Sequence, residues 1–492
     1  MNQDNGGIIG KINTPTTSLA SGVWSLDSQF DSQSSSIWPL AFPNTTIANA
    51  CRFDDGSGDY LNRTLGTATD QSKYTMSLWI KKTELNAGDY QTMMGGKYQS
   101  TVNGSGIFFN TSNQIEVYQD FTSTNGLAIR TNRLFRDVSA WYHIVLNFDY
   151  TQSGSDKMKL YINGVEETSF ETDARSSLID NPTFLANSKP FTIGGRFTPD
   201  LYFNGYMAEV VLVDGQQLLP TSFGAFNPVT NIWEPIAYAG TYGTNGFRLD
   251  FADSSALGND VSGNDNDFTA NNLTSIDQAS DTCSNNFATF NSIVNAAGGN
   301  LTLSEGNLKV TSGDNNWNSA IGTIAVNSGK WYWEVKIINA TYNYNHGVFS
   351  LDTGDINDTD NPMNQTGYSG FYNTDGGETR IDDTVSTSDF GTFAADDILG
   401  FYLNADDNQF TIYKNGSSHV SATNLGNGRT DLVPIAVHYN GGVSEYNFGN
   451  SPFSISSGNA DANGYGNFEY SPTIGGVNYY ALCTKNLAEF GG

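Results

Sequence analysis

Disulfide pairs, membrane-length apolar runs and clustered basic charge are all missing from this sequence. Its three cysteines, Cys51, Cys283 and Cys483, are odd in number and far apart. That excludes a disulfide framework and the close pairing of a structural zinc site, and they read as free buried thiols. No stretch approaches the roughly 18 apolar residues of a membrane helix. Lysine and arginine number 23 against 51 acidic residues, with no basic cluster, so nucleic acid is not an expected partner. Histidine occurs only at His143, His346, His419 and His438, a thin supply for acid–base catalysis. No glycine-rich loop follows a strand and opens a helix, which leaves nucleotide binding unsupported. No segment keeps helical periodicity beyond about three turns. The opening MNQDNGGIIGKINTPTTS lacks the basic-then-apolar order of a secretion signal. The expectation is therefore folding in a cytoplasm, with exposure to the outside by lysis or a dedicated export route.

What is present is aromatic and turn-rich: 25 Tyr, 30 Phe and 52 Gly, among abundant Asn, Ser and Thr. That mix favours pleated strands joined by tight turns and argues against disorder. A chain of 492 residues has room for two or three domains, each with its own core. The net charge of −28 supports solubility and supplies many hard oxygen ligands, which makes Ca²⁺ the one cofactor to consider.

Residues 1–36 hold too little apolar material to fold alone. With Trp24 and Phe30 they read either as a docking arm or as a tail packed on the first domain. From 37 to 230, short runs alternate with period two: YTMSLWIKK (74–82), GIFFN (106–110), QIEVYQD (114–120), WYHIVLNFDY (141–150) and MKLYING (158–164). Asn163-Gly164 is a strong hairpin signal. The stretch 231–290 is loaded with Gly, Asn and Asp but keeps Tyr242, Phe247, Phe251 and Phe268, so it reads as an ordered connector with one or two strands. Strand rhythm returns from 291 to 455 in LTLSEGNLKVTS (301–312), KWYWEVKII (330–338), ILGFYLNADDNQFTIYKNG (398–416) and LVPIAVHY (432–439). The tail, 456–492, is expected to pack on the second domain as a strand or short helix. The predicted fold class is all-β, two antiparallel β-sandwiches joined by the connector.

CRFDDGSGDYLN (51–62), SLWIKK (77–82), WYHIVLNFDY with MKLYINGVEE (141–167), and IGGR with FNGYMAEVVLVDG (193–215) occur in the order of the laminin-G-like motifs, which the first domain resembles. The implied fold is a concanavalin-like sandwich of jelly-roll type. The second domain resembles SPRY-type sandwiches through GKWYWEVKI (329–337), DDILGFYLNADDNQFTIYKNGSS (396–418), VPIAVHY and YNFG. The opening segment, the connector and YYALCTKNLAEF are similar to segments of marine tailed-phage virion proteins of tail-fibre, receptor-binding or head-decoration type. That resemblance implies a particle-surface location, other virion proteins as partners, and a homo-oligomer with a trimer favoured.

Concanavalin-like sandwiches include glycoside hydrolases, whose retaining members need two carboxylates about 5–5.5 Å apart. The Glu-X-Asp-X-X-Glu run that supplies them is missing. Glu166 and Glu167 point to opposite faces, while Glu209 and Glu334 stand alone. A non-enzyme is expected. For Ca²⁺, Asp54, Asp55 and Asp59 in the DDGSGDY turn are the first candidates, although Asp also caps such turns through its own backbone. The Asp/Asn clusters at 253–267 and 352–361 come second. For ligand recognition the candidates are turn-region aromatics, Tyr202, Tyr342, Tyr344, Tyr368 and Tyr372, with Tyr90 and Tyr98; each has ordinary packing as its alternative. The four from 342 to 372 fall where SPRY-like domains carry variable binding loops. The expected function is recognition of host-surface glycan or protein. The alternatives are a purely structural decoration protein and, less favoured, a polysaccharide-degrading enzyme.

Overall fold

The computed structural model describes residues 45–490 apart from 86, 98–103, 121–125, 179–183, 199, 229, 297–299, 340–343, 355–365, 373–376, 383, 389 and 427, plus the paired strands Asp4–Asn5 and Ile9–Lys11. It is all-β apart from short 3₁₀ turns and the helix Thr484–Phe490 among the described residues.

Two sandwiches account for the fold. In the first, one sheet runs Val165–Glu166, Met158–Ile162, Trp141–Asp149, Lys73–Lys82, Gly205–Asp214, Ala50–Phe53 and Gln278–Ala279, with Phe247–Leu249 also paired to Gly205–Asp214. The facing sheet runs Phe170–Asp173, Leu127–Thr131, Ile115–Tyr118, Gly104–Phe109, Gln91–Lys97, Pro190–Ile193, Tyr60–Thr64 and Thr269–Asn271. In the second sandwich, seven strands including Asn318–Gly322, Leu432–His438, Tyr344–Ser350 and Tyr368–Tyr372 face a sheet centred on Val443–Asn447, Lys330–Asn339, Ile398–Asn404 and Gln409–Lys414. Every pairing between these strands is antiparallel, while Tyr480–Ala481 from the tail adds to Lys330–Asn339 in parallel.

The alternation read from the sequence places the cores. Along Lys73–Lys82, Tyr74, Met76, Leu78 and Ile80 join one apolar cluster with Ile144, Leu146, Ile107, Phe109 and Ile193. Each such side chain stabilises by about 1.5–3 kcal/mol on full burial. Along Lys330–Asn339, Trp331, Trp333, Val335 and Ile337 do the same with Phe401, Leu403 and Phe448. The Asn163-Gly164 turn has φ of 48° and 78°, which fits the left-handed hairpin turn its sequence announces.

The stretch 231–290 is more than a connector. Its strands Phe247–Leu249, Thr269–Asn271 and Gln278–Ala279 pair within both sheets of the first sandwich. Phe247, Phe251 and Phe268 are buried in that sandwich's core. The reason lies in the aromatics: isolated rings placed among Gly and Asn have nowhere to go except an existing core.

In each sandwich one sheet is buried on both faces. Thr75, Ser77 and Trp79 point away from the first core, yet all three are buried. That side is covered by the segment holding Phe223, Trp233, Tyr238 and Tyr242. In the second sandwich Tyr332, Glu334 and Tyr402 lie under the tail residues Phe468, Tyr479 and Ala481.

Candidate functional site

The sandwiches meet through buried charge. Arg52, fully buried, donates to the Ser451 carbonyl at 3.3 Å and the Ile276 carbonyl at 3.1 Å. Its guanidinium is also 3.4 Å from the Asp277 carboxylate and 3.5 Å from that of Glu305. Lys81, equally buried, donates to Asp281 and Asn286, each at 2.8 Å. Tyr206 donates its hydroxyl to the Gly306 carbonyl at 2.9 Å, and Asn307 and Ser292 donate to the Thr83 carbonyl at 2.8 and 2.7 Å. A buried cation left alone costs several kcal/mol, so these partners tie the two sandwiches into one arrangement.

Beside this junction lies a cleft of about 340 Å³. Asp54, Asp55, Thr83, Glu84 and Asn204 of the first sandwich line it opposite Asn291, Ser292 and the strand Leu301–Ser304 of the second. Leu301, Leu303 and Ala320 add apolar surface. Asn204 donates to Asp55 at 2.9 Å, and Gln91 donates to Glu84 at 3.0 Å. Burial raises both carboxyl groups above their ordinary range; Asp54 pushes Asp55 further up, and Asp55 does the same to Glu84. Among the described residues no Lys or Arg lines this space. Its electrostatics therefore favour uncharged or cationic ligands over anions.

The three aspartates of the expected calcium site do not converge among the described residues. Asp54 accepts the Ser57 amide at 3.2 Å and the Glu305 amide at 2.8 Å, spending its two oxygens on the turn and on the neighbouring sandwich. Asp59 accepts the Asp54 amide at 2.9 Å, and burial pushes its carboxyl up to about 7. Asp55 turns to Asn204. Among the described residues no three acidic, His or Cys side chains group to hold a metal ion. The capping habit of Asp in tight turns took these carboxylates instead.

The loop placement of the aromatic candidates is corrected in part. Tyr344, Tyr368 and Tyr372 belong to two paired strands rather than to loops. Tyr368 is fully buried in an apolar cluster with Phe349 and Ile435, where no sugar can reach it. Tyr342 and Tyr98 lie outside the described residues, as do Trp24 and Phe30 of the docking arm. Tyr90 packs edge-on to Phe108. Tyr202 is half-buried, with its ring 6.0 Å from that of Tyr60 and against Gly58 of the DDGSGDY turn. That turn was the one signal of the cleft in the sequence. Glu84, Asn204 and Leu301 come from separate segments that only folding brings together.

One buried pair has the composition of a catalytic dyad. Ser77 Oγ is 2.8 Å from His143 Nε2. Trp233 Nε1 donates to His143 Nδ1 at 2.9 Å, so the proton of the neutral ring sits on Nε2 and points at Ser77. That tautomer donates to the serine and cannot take its proton. Burial pushes His143 down to about 3, which keeps it neutral. Glu209 is held by Arg248 through two bonds of 2.8 and 2.9 Å. Glu334 accepts four donors: the Tyr332 hydroxyl, the Asn447 amide and the backbone of Glu469 and Tyr470.

Sequence comparison places the first sandwich. Residues 55–217 match the family described as the concanavalin A-like lectin/glucanases superfamily, of laminin-G type. No curated protein matches the sequence. Structures similar to the chain include the SPRY domain of human HERC1, at 15% identity and a TM-score of 0.27, covering 32% of this chain and 96% of that one. The PSpry domain of TRIM65 is similar at 15% identity and a TM-score of 0.26, covering 32% and 88%. A heptameric SAP-like pentraxin from Limulus polyphemus is similar at 13% identity and a TM-score of 0.27, covering 35% and 79%. The concanavalin-like domain carries a lectin-type fold suited to binding. Among the described residues no helix is long and apolar enough to cross a membrane.

Proposed function

We propose that this chain is a non-enzymatic binding protein that recognises a host-surface glycan through the cleft between its two sandwiches. The observation that carries this reading is the cleft's lining. Hydroxyl, amide and carboxyl groups sit beside Leu301 and Leu303. A sugar presents matching chemistry, with hydroxyls on its edges and C–H groups on its faces. The carboxylates Asp55 and Glu84 select neutral or amino sugars over acidic ones. The resemblance of the opening and connector segments to marine tailed-phage virion proteins supports a place on the particle surface, at a tail or on the capsid. Several copies there, a trimer being the expected assembly, would multiply a weak affinity for each glycan.

The test is a glycan array with the full chain and with the double substitution Asp55→Asn, Glu84→Gln. Binding of neutral or amino glycans that falls at least about tenfold in the variant, the equivalent of one or two lost hydrogen bonds, is the expected result. Binding to no glycan, or binding indifferent to the substitutions, would overturn it.

A further inference from the structure

On the connector side of the junction a second recess runs from the first sandwich onto the second. It has two compartments of about 530 and 440 Å³, and Ser254 and Ser275 line both, so they form one continuous groove. Each compartment falls in the range that houses small ligands. We propose that this groove binds an extended, uncharged polysaccharide segment, independently of the cleft.

The argument begins with a contrast in hydrogen bonding. Much of the connector's polar chemistry is already committed, to its own backbone or to the two sandwiches, as where Asn272 donates to the Ser57 and Gly58 carbonyls and Ser280 to the Gly449 carbonyl. Asp260 accepts the backbone amides of Arg248, Ser262 and Asn266 and the Ser262 hydroxyl. Asn264 and Asn266 each donate to two backbone carbonyls, and Asp253 binds Ser255. The groove wall breaks this habit. Gln278, Ser280 and Ser451 of its lining are bonded to backbone carbonyls, but Asn49, Ser254, Asn259, Ser275, Ser454 and Asn467 also line it, and among the described residues none of these six forms a hydrogen bond through its side chain. Six polar side chains stand ready on a frame already rigidified by the bonds beneath them, which lowers the ordering cost of binding.

Charge and shape narrow the ligand. The one charged residue among the described lining is Asp267, already accepting the Asp260 amide at 2.8 Å. With no cation in the wall, a uronate, sialate or phosphate finds no partner there. Phe268, Leu273, Phe453 and Ile455 supply the apolar surface that the C–H faces of a pyranose need. The two compartments in line suit a chain of sugars better than a single one.

Calorimetric titration of the full chain with cellohexaose, laminarihexaose, mannohexaose and xylohexaose tests the proposal, with hexagalacturonate as the anionic control. Saturable binding of at least one neutral hexasaccharide and none of the anion is expected. Ser275→Trp and Asn467→Trp plug the two compartments and should each abolish that binding. Ser275→Ala with Asn467→Ala, which removes hydrogen bonds without adding bulk, should weaken it about tenfold. Asp55→Asn with Glu84→Gln lowers only binding at the cleft, so the component that survives it and is lost in Ser275→Trp belongs to the groove, and failure of the groove and failure of the cleft are read separately. Binding of none of the neutral probes, equal binding of hexagalacturonate, or affinity untouched by both tryptophan substitutions would overturn the proposal. All these positions are half-exposed or exposed, and unchanged melting temperatures of the variants confirm that folding is not the cause.

Discussion

Each sandwich carries one sheet covered on its outer face by an appended segment, and the two covers are fastened by opposite chemistry. Over the first sheet, Trp233 lies nearly parallel to His143 with ring centroids 6.0 Å apart and donates to it edge to edge, so a neutral ring holds the cover. Over the second, the fully buried Glu334 takes the backbone amides of Glu469 and Tyr470 at 3.0 and 2.7 Å. No cation pairs with Glu334 among the described residues, and burial pushes its carboxyl up to about 7 against the four donors that hold it down. An outward-facing polar residue in a strand is thus no guide to solvent. In this chain such residues mark where the next segment is pinned.

The comparison can be broken most strongly at its anchors. Trp233→Ala removes the first cover's ring and leaves the His143 Nδ1 without its donor. A loss of about 3–5 kcal/mol, confined to the first sandwich, is expected from hydrogen exchange and urea unfolding of the full chain. At the junction, Asp281→Ala strands the buried Lys81, and a similar loss of about 3–5 kcal/mol is expected, with the two sandwiches exchanging more independently. Equal exchange in both would show that Lys81 does not tie them.

Glu334→Gln comes next. It turns an amide NH₂ toward donors that need an acceptor, costing about 1–3 kcal/mol in the tail and its sheet. A tail that keeps its protection would mean that the apolar contacts of Phe468 and Tyr479 hold it alone.

Titration sharpens the contrast further. Glu334 has a folded value, about 7, raised above the ordinary 4.5. Its contribution is full below about 4.5 and is lost as pH rises through about 7, so the second cover should open more readily toward alkaline pH. His143 is depressed from 6.5 to about 3. Its contribution is full above about 6.5 and is lost as pH falls toward about 3, so the first cover should open more readily in acid. Hydrogen exchange between pH 5 and 8, corrected for intrinsic rates, reads both slopes. Slopes of the same sign would refute the assignment. The smallest effect is at the DDGSGDY turn, where millimolar Ca²⁺ or a chelator should leave the melting temperature unchanged. A rise of several degrees would mean that Asp54, Asp55 and Asp59 rearrange around an ion.

Strand existence was largely legible, because period-two alternation of large apolar residues admits few other readings. Lys73–Lys82, Trp141–Asp149, Lys330–Asn339 and Ile398–Asn404 all coincide with the runs named from the sequence. Gln91–Lys97 was invisible: QTMMGGK has a single β-branched residue, Thr92, and two adjacent glycines that weaken a strand pattern, yet its two methionines are fully buried. Tyr368 was misplaced on the recognition face because a tyrosine reads the same whether it lines a loop or fills a core. The cleft failed because its residues lie hundreds of positions apart in the chain.

Local pattern therefore determined the all-β class, the hairpin turns and the two core faces, since each depends on residues within a few positions of one another. Tertiary structure alone decided that residues 231–290 complete the first sandwich and that polar strand faces are covered. It also decided that Asp54 accepts the Glu305 amide from the neighbouring sandwich, and that a cleft and a groove flank the junction. These outcomes turn on long-range pairing of buried polar groups, whose energy depends on which partner arrives and which leaves the group unpaired.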